Sequence, residues 1–434
     1  MTSWCIVTTW SSCAGREHHY AEAVVVSALE EQGRAVRAAS MRLAQSSDEA
    51  RRAVLLDVAR ALEERGDELV AVNESEVARY EDGGAGRDRL TLTPERVASM
   101  AAALRDVAAF ADPLFEVVAR DTRPNGLRVE RVRVPLGVVG VIYENRPNVT
   151  SDVAGLCVRS GNAAFLRGSA SALATNRFIV GLWHDALARQ GLPVEAVSLV
   201  QDVSHEAAAQ FMGLTGVLDC LIPRGGPSLI AAMREHARVP YVLDGDGNCH
   251  VYVDESADLG RAVAIVRNAK TSRPGVCNAA ETVLVHRALA ARFLPAMASA
   301  MPEVQWRADE ESRAVLVDAR PASEEDYARE FLDLIMAVRV VGSIEEAIDH
   351  VARYGTGHSE AIVTEDPARA EQWVRQVDAA AVLVNASTRF VDGGELGLGG
   401  EVGISTQKLH ARGPMGVREL TSVKWVVRGE GHVR

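Results

Sequence analysis

The chain has 434 residues, of which 47% are hydrophobic and 24% are charged, and its formal net charge is -12. This length exceeds what one small core can organise, so we expect two or three domains. Neutralising nucleic-acid phosphates requires Lys and Arg concentrated on one face, and the sequence has no such run, which argues against a nucleic-acid partner. We therefore expect small-molecule partners.

The N-terminal residues and the cysteines indicate the compartment. Residues 1–20 lack the basic start and long apolar run of a signal peptide, and no later stretch reaches the roughly 18 apolar residues that a membrane span requires. The cysteines are scattered, without a C-x-x-C pair or a zinc-like His spacing, which is typical of a reducing cytoplasm and predicts no metal site. They are Cys5, Cys13, Cys157, Cys220, Cys249 and Cys277.

The first part of the chain is predicted to be helical. Residues 1–20 show no period and are interpreted as a disordered extension, whereas from Ala21 to about Ala111 apolar residues recur at three- and four-residue spacing. This pattern favours two or three antiparallel helices with a polar loop at 81–89. At about 126–136 apolar and charged residues nearly alternate, which predicts a β-arm with one wet face.

Two regions then alternate short apolar runs with helical stretches, which is typical of parallel sheets covered by helices. The strand candidates of the first region, about 137–253, are 138–142, 163–166, 197–200, 220–222 and 251–253. Those of the second region, about 269–385, are 282–285, 338–341, 361–363 and 381–384. A final apolar run at 423–427 is expected to pair with the arm. The predicted fold class is α/β.

One cysteine stands where a nucleophile is expected. Cys277 follows the breaker pair Pro274-Gly275 and precedes the apolar run 283–285, which is predicted to be a buried strand. A turn backed by rigid β-structure can present a thiol to a cleft, and this arrangement recurs in acyl chemistry. A free cysteine is most often a small buried hydrophobe, so the motif alone leaves core packing open as the alternative.

Three turns after predicted strands carry polar groups, and ligands of open parallel sheets bind at the carboxyl ends of strands. Asn148 is interpreted either as a cap of its turn or as an amide that stabilises an oxyanion. Arg167, beside small hydroxyl residues, suits a phosphate or a ribose hydroxyl, with an exposed structural arginine as the alternative. The turn Arg224-Gly225-Gly226 opens a helix, so its N–H groups can meet a diphosphate.

Longer blocks of sequence carry a family resemblance. They include VPLGVVGVIYE at 134–144, RPNVT at 146–150, LIPRGG at 221–226, NAK at 268–270, Cys277-Asn278, VNASTRF at 384–390 and, most specifically, STQKLHARGPMG at 405–416. With these blocks the chain resembles the gamma-glutamyl phosphate reductases, also called glutamate-5-semialdehyde dehydrogenases, within the aldehyde dehydrogenase superfamily. The likeness extends from about residue 24 to the C-terminus.

The resemblance implies two doubly wound α/β domains plus a β oligomerisation arm. The nucleotide-binding domain would span 21–268 and carry the arm, the catalytic domain would span 269–404, and residues 405–434 would return to the nucleotide-binding domain and the arm. We expect a homo-oligomer, either a dimer or a tetramer.

The resemblance also implies roles for single residues. Cys277 would be the nucleophile and Asn148 the oxyanion amide, while Arg167, the turn Arg224-Gly225-Gly226 and Glu330 would contact the cofactor. Glu330 falls where the superfamily holds the nicotinamide ribose. The family prefers NADPH, and an arginine near the 2′-phosphate fits that preference.

The expected reaction is the NADPH-dependent reduction of L-glutamyl 5-phosphate to L-glutamate 5-semialdehyde and phosphate, the second step of proline biosynthesis, through a thioester on Cys277. Oxidising aldehyde dehydrogenases carry a water-activating Glu where this chain has Leu243, although Asp244 and Asp246 lie close by in the sequence. A thioester that must survive until hydride arrives has no use for that water.

Several cations are candidates for contacts with the thiolate and the substrate. Arg273, Lys270 and His410 are candidates for stabilising the thiolate or for contacting the leaving phosphate. Arg389 and Arg412 are candidates for the α-carboxylate of the substrate. Which cation takes which role stays open.

Two rival interpretations remain. A CoA-acylating aldehyde dehydrogenase shares the cysteine thioester and also lacks the water-activating Glu. A catalytically silent homologue would act as a scaffold subunit, and the joint presence of Cys277, Asn148 and the Arg224 turn argues against it. No kinase segment precedes the reductase-like region, so we expect a functional link to a separate glutamate 5-kinase.

Overall fold

The computed structural model describes residues 27–81, 84–243 and 245–434, so the predicted extension at 1–20 lies outside the described residues. The helices are α1 Ala28–Leu43, α2 Asp48–Glu64, α3 Gly66–Val77, α4 Gly84–Leu90, α5 Pro94–Ala109, α6 Pro147–Arg159, α7 Leu173–Arg189, α8 His205–Met212, α9 Pro227–His236, α10 Leu259–Thr271, α11 Arg287–Ala300, α12 Glu310–Arg313, α13 Glu324–Ala328, α14 Ile344–Tyr354 and α15 Pro367–Gln376. The strands are β1 Val117–Thr122, β2 Arg128–Pro135, β3 Val138–Tyr143, β4 Ala163–Arg167, β5 Val197–Leu199, β6 Cys220–Arg224, β7 Cys249–Val253, β8 Ala280–His286, β9 Gln305–Ala308, β10 Arg320–Pro321, β11 Ile335–Val341, β12 Ser359–Val363, β13 Ala381–Val384, β14 Ile404–Ser405, β15 Gly413–Pro414 and β16 Thr421–Arg428.

A layer of helices, α1 to α5, begins the described chain. Side-chain oxygens of Ser27, Ser47 and Thr93 accept backbone N–H groups at the starts of α1, α2 and α5, which satisfies donors that a helix start leaves without partners. Leu55 and Val58, two of the apolar residues at helical spacing in the sequence, are fully buried. The prediction that this region is helical is therefore confirmed.

The predicted number of helices and the predicted polar loop at 81–89 are wrong, because most of that segment forms the short helix α4. The reason lies in tertiary contacts. Leu90 at the end of α4 is fully buried, and its carbonyl accepts a hydrogen bond from the Asn73 side chain at 2.9 Å. The polar composition of the segment does not reveal this hydrogen bond, because the donor, Asn73, lies on α3.

The first parallel sheet has the strand order β5-β4-β3-β6. Strands β3 and β4 are buried along their whole length, since side chains of α6 and α7 pack on one face and side chains of α8 and α9 on the other. Ile142 pairs with Arg167, and Tyr143 pairs with Arg224, so the carboxyl ends of these strands lie side by side. The polar turns singled out in the sequence therefore share one edge of the sheet.

The second parallel sheet has the order β10-β9-β11-β8-β7-β12-β13. Its strand β7 corrects a prediction, because the apolar run 251–253 was assigned to the first region. Val251 pairs instead with Val283 on β8 and with Ala361 on β12. An apolar run predicts a buried strand but not its neighbours in the sheet, so the predicted first region extended one strand too far.

The β-arm is a three-stranded antiparallel sheet in the order β1-β2-β16. Strand β16 pairs with β2 from Thr421 opposite Pro135 to Arg428 opposite Arg128, which confirms the predicted pairing of 423–427 with the arm. Strand β1 is exposed throughout, and Trp425 is 67% exposed. No helix among the described residues is long and apolar enough to span a membrane.

Candidate active site

Cys277 lies on the turn that joins α10 to β8. The Ala279 N–H donates to the Val276 carbonyl at 3.0 Å and closes the turn. Cys277 is half-buried, whereas Asn278 and Ala279 behind it are buried, and β8 continues as a buried strand. The predicted arrangement, a cysteine on a turn that precedes a buried strand, is confirmed.

A guanidinium group braces this turn. Arg389 donates to the side-chain oxygen of Asn278 and, through Nε, to the Ser272 hydroxyl at 3.2 Å. The amide nitrogen of Asn278 donates to the Val391 carbonyl at 2.9 Å. The turn is thus bonded to the short 3₁₀ helix Thr388–Phe390 and the residue that follows it.

The same guanidinium interacts electrostatically with the nucleophile candidate. Burial lowers the pKa of Arg389 and Arg273 adds to that effect, whereas the charges of Asp392 and Cys277 oppose it. A positive charge near a thiol favours the thiolate form, which is the reactive form. Arg273 is exposed on the same turn.

A second cysteine lies directly behind the first. Cys249 is fully buried, and its Sγ donates to the carbonyl oxygen of Cys277 at 3.2 Å. Burial raises the pKa of the Cys249 thiol well above its usual value, and the charge of Glu360 is the next cause. A Cβ at Gly247 would lie 1.6 Å from the same carbonyl oxygen, so only glycine permits this approach. The two thiols therefore differ in environment although they are neighbours.

Lys270 is fully buried. Its Nζ lies 2.6 Å from Glu281 Oε2, and neither side chain is exposed. Burial lowers the pKa of Lys270, and the charge of Glu281 opposes that shift. Burial likewise raises the pKa of Glu281 to about 7 against the opposing charge of Lys270. The sequence analysis named no partner for Lys270, because it assigned no role to Glu281.

Glu330 lies close to the turn, on the segment that leads into β11. Its Oε1 accepts the Gly247 N–H at 3.1 Å, and Gly247 in turn packs against Cys277. The structure thus brings Glu330, Cys277 and the buried pair Lys270–Glu281 together, since the next residues of the same segment contact Glu281.

Asn148 lies in the first turn of α6, at the carboxyl end of β3. Its amide nitrogen donates to Asp152 Oδ2 at 2.9 Å. Burial raises the pKa of Asp152 to about 6, while the Asn148 hydrogen bond and the charge of Arg224 oppose that shift. An amide nitrogen carries two hydrogens, so Asp152 orients the group while the second hydrogen is suited to an oxyanion.

Arg167 ends β4 and is only 9% exposed. One of its terminal nitrogens donates to the carbonyls of Val203 and Ser204, at 2.6 and 2.9 Å. Its buried Nε has no hydrogen-bond partner among the described residues. The guanidinium is therefore fixed at the edge where the sequence predicted a cofactor, and burial lowers its pKa.

The turn Arg224-Gly225-Gly226 leads from β6 into α9. The Gly226 N–H donates to Glu144 Oε2 at 3.2 Å, and the Glu144 N–H donates to the Arg224 carbonyl at 3.1 Å. A Cβ at Gly225 would lie 2.7 Å from the Glu144 carboxylate, whereas one at Gly226 would have no described atom within 4 Å. The backbone is therefore open at Gly226, at the start of the helix.

The remaining cationic candidates lie on the loop after β14. Arg412 donates to Asp378 Oδ1 at 2.7 Å, and Lys408 binds the other oxygen of the same carboxylate. His410 is exposed, with its Nε2 2.9 Å from the Glu419 carbonyl oxygen. These contacts hold the loop together, and they involve neither Cys277 nor Arg389.

The structure also describes Leu243, which the resemblance predicts to stand where oxidising aldehyde dehydrogenases carry the water-activating Glu. Leu243 is half-buried, and its N–H donates to the Gln407 side chain at 3.1 Å. Asp246 is exposed, and Asp244 lies outside the described residues.

Sequence reasoning missed three carboxylates of this region: Glu144, Asp152 and Glu281. Each lies in or next to a singled-out motif, and each binds one of its groups in the folded chain. A carboxylate inside an otherwise apolar stretch, such as Glu281 at the start of β8, is the signal that was available, since buried charges require partners.

Comparisons with known proteins identify the family of the chain. A family model described as "Aldehyde dehydrogenase family" matches residues 18–318 and 314–426. The chain is 51% identical to the gamma-glutamyl phosphate reductase of Carboxydothermus hydrogenoformans over 401 residues, 91% of this chain and 97% of that one. It is 50% identical to the protein of the same name from Thermobifida fusca over 403 residues, 92% of this chain and 96% of that one.

Solved structures give the same result. The gamma-glutamyl phosphate reductase of Thermotoga maritima superposes with a TM-score of 0.91 at 43% identity, covering 94% of this chain and 100% of that one. An acetylating aldehyde dehydrogenase from Geobacillus thermoglucosidasius, at 18% identity and a TM-score of 0.68, shares the fold alone. The predicted fold class is confirmed, and the relatives that are about half identical identify this chain as an oxidoreductase. With a family model over most of the chain, relatives about half identical to it and near-complete coverage, the chain belongs to the aldehyde dehydrogenase family, in its gamma-glutamyl phosphate reductase branch.

Proposed function

We propose that the protein reduces L-glutamyl 5-phosphate to L-glutamate 5-semialdehyde and phosphate with NADPH, the second step of proline biosynthesis from glutamate. The observation that carries the proposal is the half-buried Cys277 within the field of Arg389. The names of the relatives that are about half identical to this chain support the substrate.

The proposed reaction begins at the thiol of Cys277. Its thiolate attacks the acyl carbon, and the electron pair of the carbonyl moves onto oxygen. The second amide hydrogen of Asn148 then stabilises that oxyanion, a contribution typically worth a factor of about 10²–10³ in rate. When the carbonyl reforms, the C–O bond to phosphate breaks, phosphate leaves, and a thioester remains on Cys277.

NADPH, when bound, supplies the hydride that reduces the thioester carbon. The chain's part is to keep water from the thioester before that step and to release the product after it. Leu243 offers no base to activate water. Collapse of the reduced adduct expels the Cys277 thiolate and yields the aldehyde, which returns the enzyme to its starting state.

The residues at the edge of the first sheet fit a dinucleotide. The N-terminus of α9, where the absence of a side chain at Gly226 leaves space, suits a phosphate. The Glu144 carboxylate beside it suits ribose hydroxyls. Arg167, anchored by two carbonyls, keeps a positive charge at the same edge for the 2′-phosphate, and Glu330 would hold the nicotinamide ribose near Cys277.

Arg273 and Arg389 are the proposed anion contacts of the substrate. Both guanidinium groups belong to the Cys277 turn or contact it, and they interact electrostatically with each other. One would receive the phosphate and the other the α-carboxylate. We propose that Arg412 and His410 shape their loop instead, since Asp378 and the Glu419 carbonyl already bind them.

Three features of the cellular setting complete the proposal. The enzyme would work in the cytoplasm, receive its labile substrate from a separate glutamate 5-kinase, and form a dimer or tetramer through the arm β1-β2-β16. The exposed strand β1 and the exposed Trp425 support the use of the arm as an interface.

The reverse reaction tests the proposed function. Purified protein would receive glutamate 5-semialdehyde and NADP with either phosphate, coenzyme A or neither, and the absorbance of reduced cofactor would be followed. We expect turnover with phosphate only. Turnover with coenzyme A would favour the acylating rival, comparable turnover without either would mean that water resolves the thioester, and no turnover under any condition would favour a scaffold subunit.

A further inference from the structure

A buried ion pair lies at the base of the nucleophile turn. Lys270 is in the last turn of α10 and Glu281 is the second residue of β8, so the pair brackets the turn that carries Cys277. Both side chains are fully buried, 2.6 Å apart. Two charges taken out of water require good mutual geometry and further hydrogen bonds to be tolerated.

The second oxygen of Glu281 supplies such a bond to a different part of the chain. Glu281 Oε1 accepts the backbone N–H of Leu332 at 3.2 Å. Leu332 has a φ of 55°, in the left-handed region that residues with a side chain rarely adopt. A strained residue of this kind persists only where its surroundings hold it, and the hydrogen bond to Glu281 is one such restraint.

Leu332 is the last residue of the segment 330–332, and the other two residues of this segment also lie near the Cys277 turn. Phe331 lies with its ring 6.0 Å from Lys270 Nζ, and Glu330 binds the Gly247 N–H. Gly247 packs against the carbonyl of Cys277. The segment 330–332 therefore contacts the buried pair at one end, through Leu332. At the other end it contacts the Cys277 turn, through Glu330 and Gly247.

We propose that Glu281 is a positioning residue: its carboxylate, neutralised by Lys270, fixes the segment 330–332 so that Glu330 meets the cofactor at a set place relative to Cys277. This rests on the proposed function, because it takes Glu330 to be a cofactor contact. The role of Lys270 would then be to neutralise the Glu281 carboxylate, and not to contact the phosphate. Neither Lys270 nor Glu281 touches substrate or cofactor in this account.

Two double variants separate positioning from simple stabilisation. Lys270→Met/Glu281→Gln and Lys270→Met/Glu281→Leu both remove the two buried charges, but only glutamine keeps an oxygen that can accept the Leu332 N–H. The dissociation constant of NADPH would be measured by calorimetry without substrate. The alkylation rate of Cys277 by iodoacetamide would be followed on its own peptide by mass spectrometry.

We expect the glutamine variant to bind NADPH within about twofold of the wild type and the leucine variant about tenfold more weakly, the scale of one lost hydrogen bond. Alkylation of Cys277 should change by less than about threefold in both, because the turn keeps its bonds to Arg389 and Val391. Equal NADPH affinity in the two variants would overturn the proposal. A parallel loss of affinity and alkylation in the leucine variant would also overturn it, because the pair would then only stabilise the fold.

Hydrogen exchange gives a readout that depends neither on cofactor binding nor on the folding of the leucine variant. In the wild type the Leu332 amide should exchange slowly, although its side chain is 43% exposed, because it donates to a buried carboxylate. Exchange at the rate of an unfolded peptide would contradict the proposal. If the wild type failed to bind NADPH, the proposed cofactor would be wrong, while protection of Leu332 would still test the bond to Glu281.

Discussion

The two parallel sheets hold their site residues in different ways. At the seven-stranded sheet, the Cys277 turn is backed by fully buried groups, the Lys270–Glu281 pair and Cys249. At the four-stranded sheet, Asn148 and Arg167 lie at an edge, where one carboxylate orients Asn148 and two backbone carbonyls orient Arg167. A reacting atom must be placed within tight limits, because a small misplacement costs a large factor in rate. Substitution of Cys277 itself should therefore abolish the rate, whereas substitution of Asn148 or Arg167 should lower the rate or the affinity without abolishing the activity.

The largest effect is expected for Cys277→Ser. This change keeps the volume but removes the ionisable nucleophile, so kcat should fall by at least about 10³-fold while folding and NADPH binding persist. The measurements are steady-state rates on protein verified by mass, with calorimetry for the cofactor. Cys249→Ser is the matched control, because serine can still donate to the Cys277 carbonyl. Retention of more than about a tenth of the activity by Cys277→Ser would remove the thioester mechanism.

Asn148→Ala should have the next largest effect. Loss of one oxyanion donor typically lowers kcat by about 10²–10³-fold, with little change in the dissociation constant of NADPH. Asp152→Asn serves as the control, since it keeps a partner for the amide while removing the carboxylate charge. If the two variants lost the same amount of activity, Asn148 would be a cap of its helix and not an oxyanion donor.

Arg167→Ala should weaken NADPH binding by about tenfold or more and NADH binding by less, since only NADPH offers a 2′-phosphate to pair with the guanidinium. Calorimetric titration with both cofactors measures the difference. Arg177→Ala in the same domain removes an equal charge from an exposed position and should discriminate little between them. Equal losses for both cofactors in Arg167→Ala would assign Arg167 to anchoring the carbonyls of Val203 and Ser204 alone.

The smallest expected effect is a change with pH in the thermal stability that Asp152 contributes. Burial raises the pKa of Asp152 from 3.8 to about 6, so the stability contributed by its neutral form is complete below pH 3.8 and is lost as the pH rises through about 6. Asp152→Asn removes this titration. The Tm of the variant minus that of the wild type should therefore increase by about 2–4 °C across this window. The exposed Asp246→Asn is the surface control, and a difference that stays constant with pH would contradict the burial of Asp152.

The local sequence pattern was sufficient to predict a secondary-structure element wherever that element depends only on its own residues. The strand candidates at 282–285 and 381–384, and the turn at Cys277, follow from apolar runs and breakers within a few residues. Partners distant in sequence were not predictable in this way. The positions of Lys270 and Arg412 depend on Glu281 and Asp378, and the place of β7 in the second sheet depends on pairing with β12, more than a hundred residues later.

The most direct test of the central claim is a single-turnover experiment on the reverse reaction without phosphate. With glutamate 5-semialdehyde and NADP, we expect a burst of about one NADPH per active site, a glutamyl adduct on the peptide containing Cys277, and no further turnover until phosphate is added. Continuous NADPH formation without phosphate, or a burst with no adduct on Cys277, would contradict a thioester that phosphate, and not water, resolves.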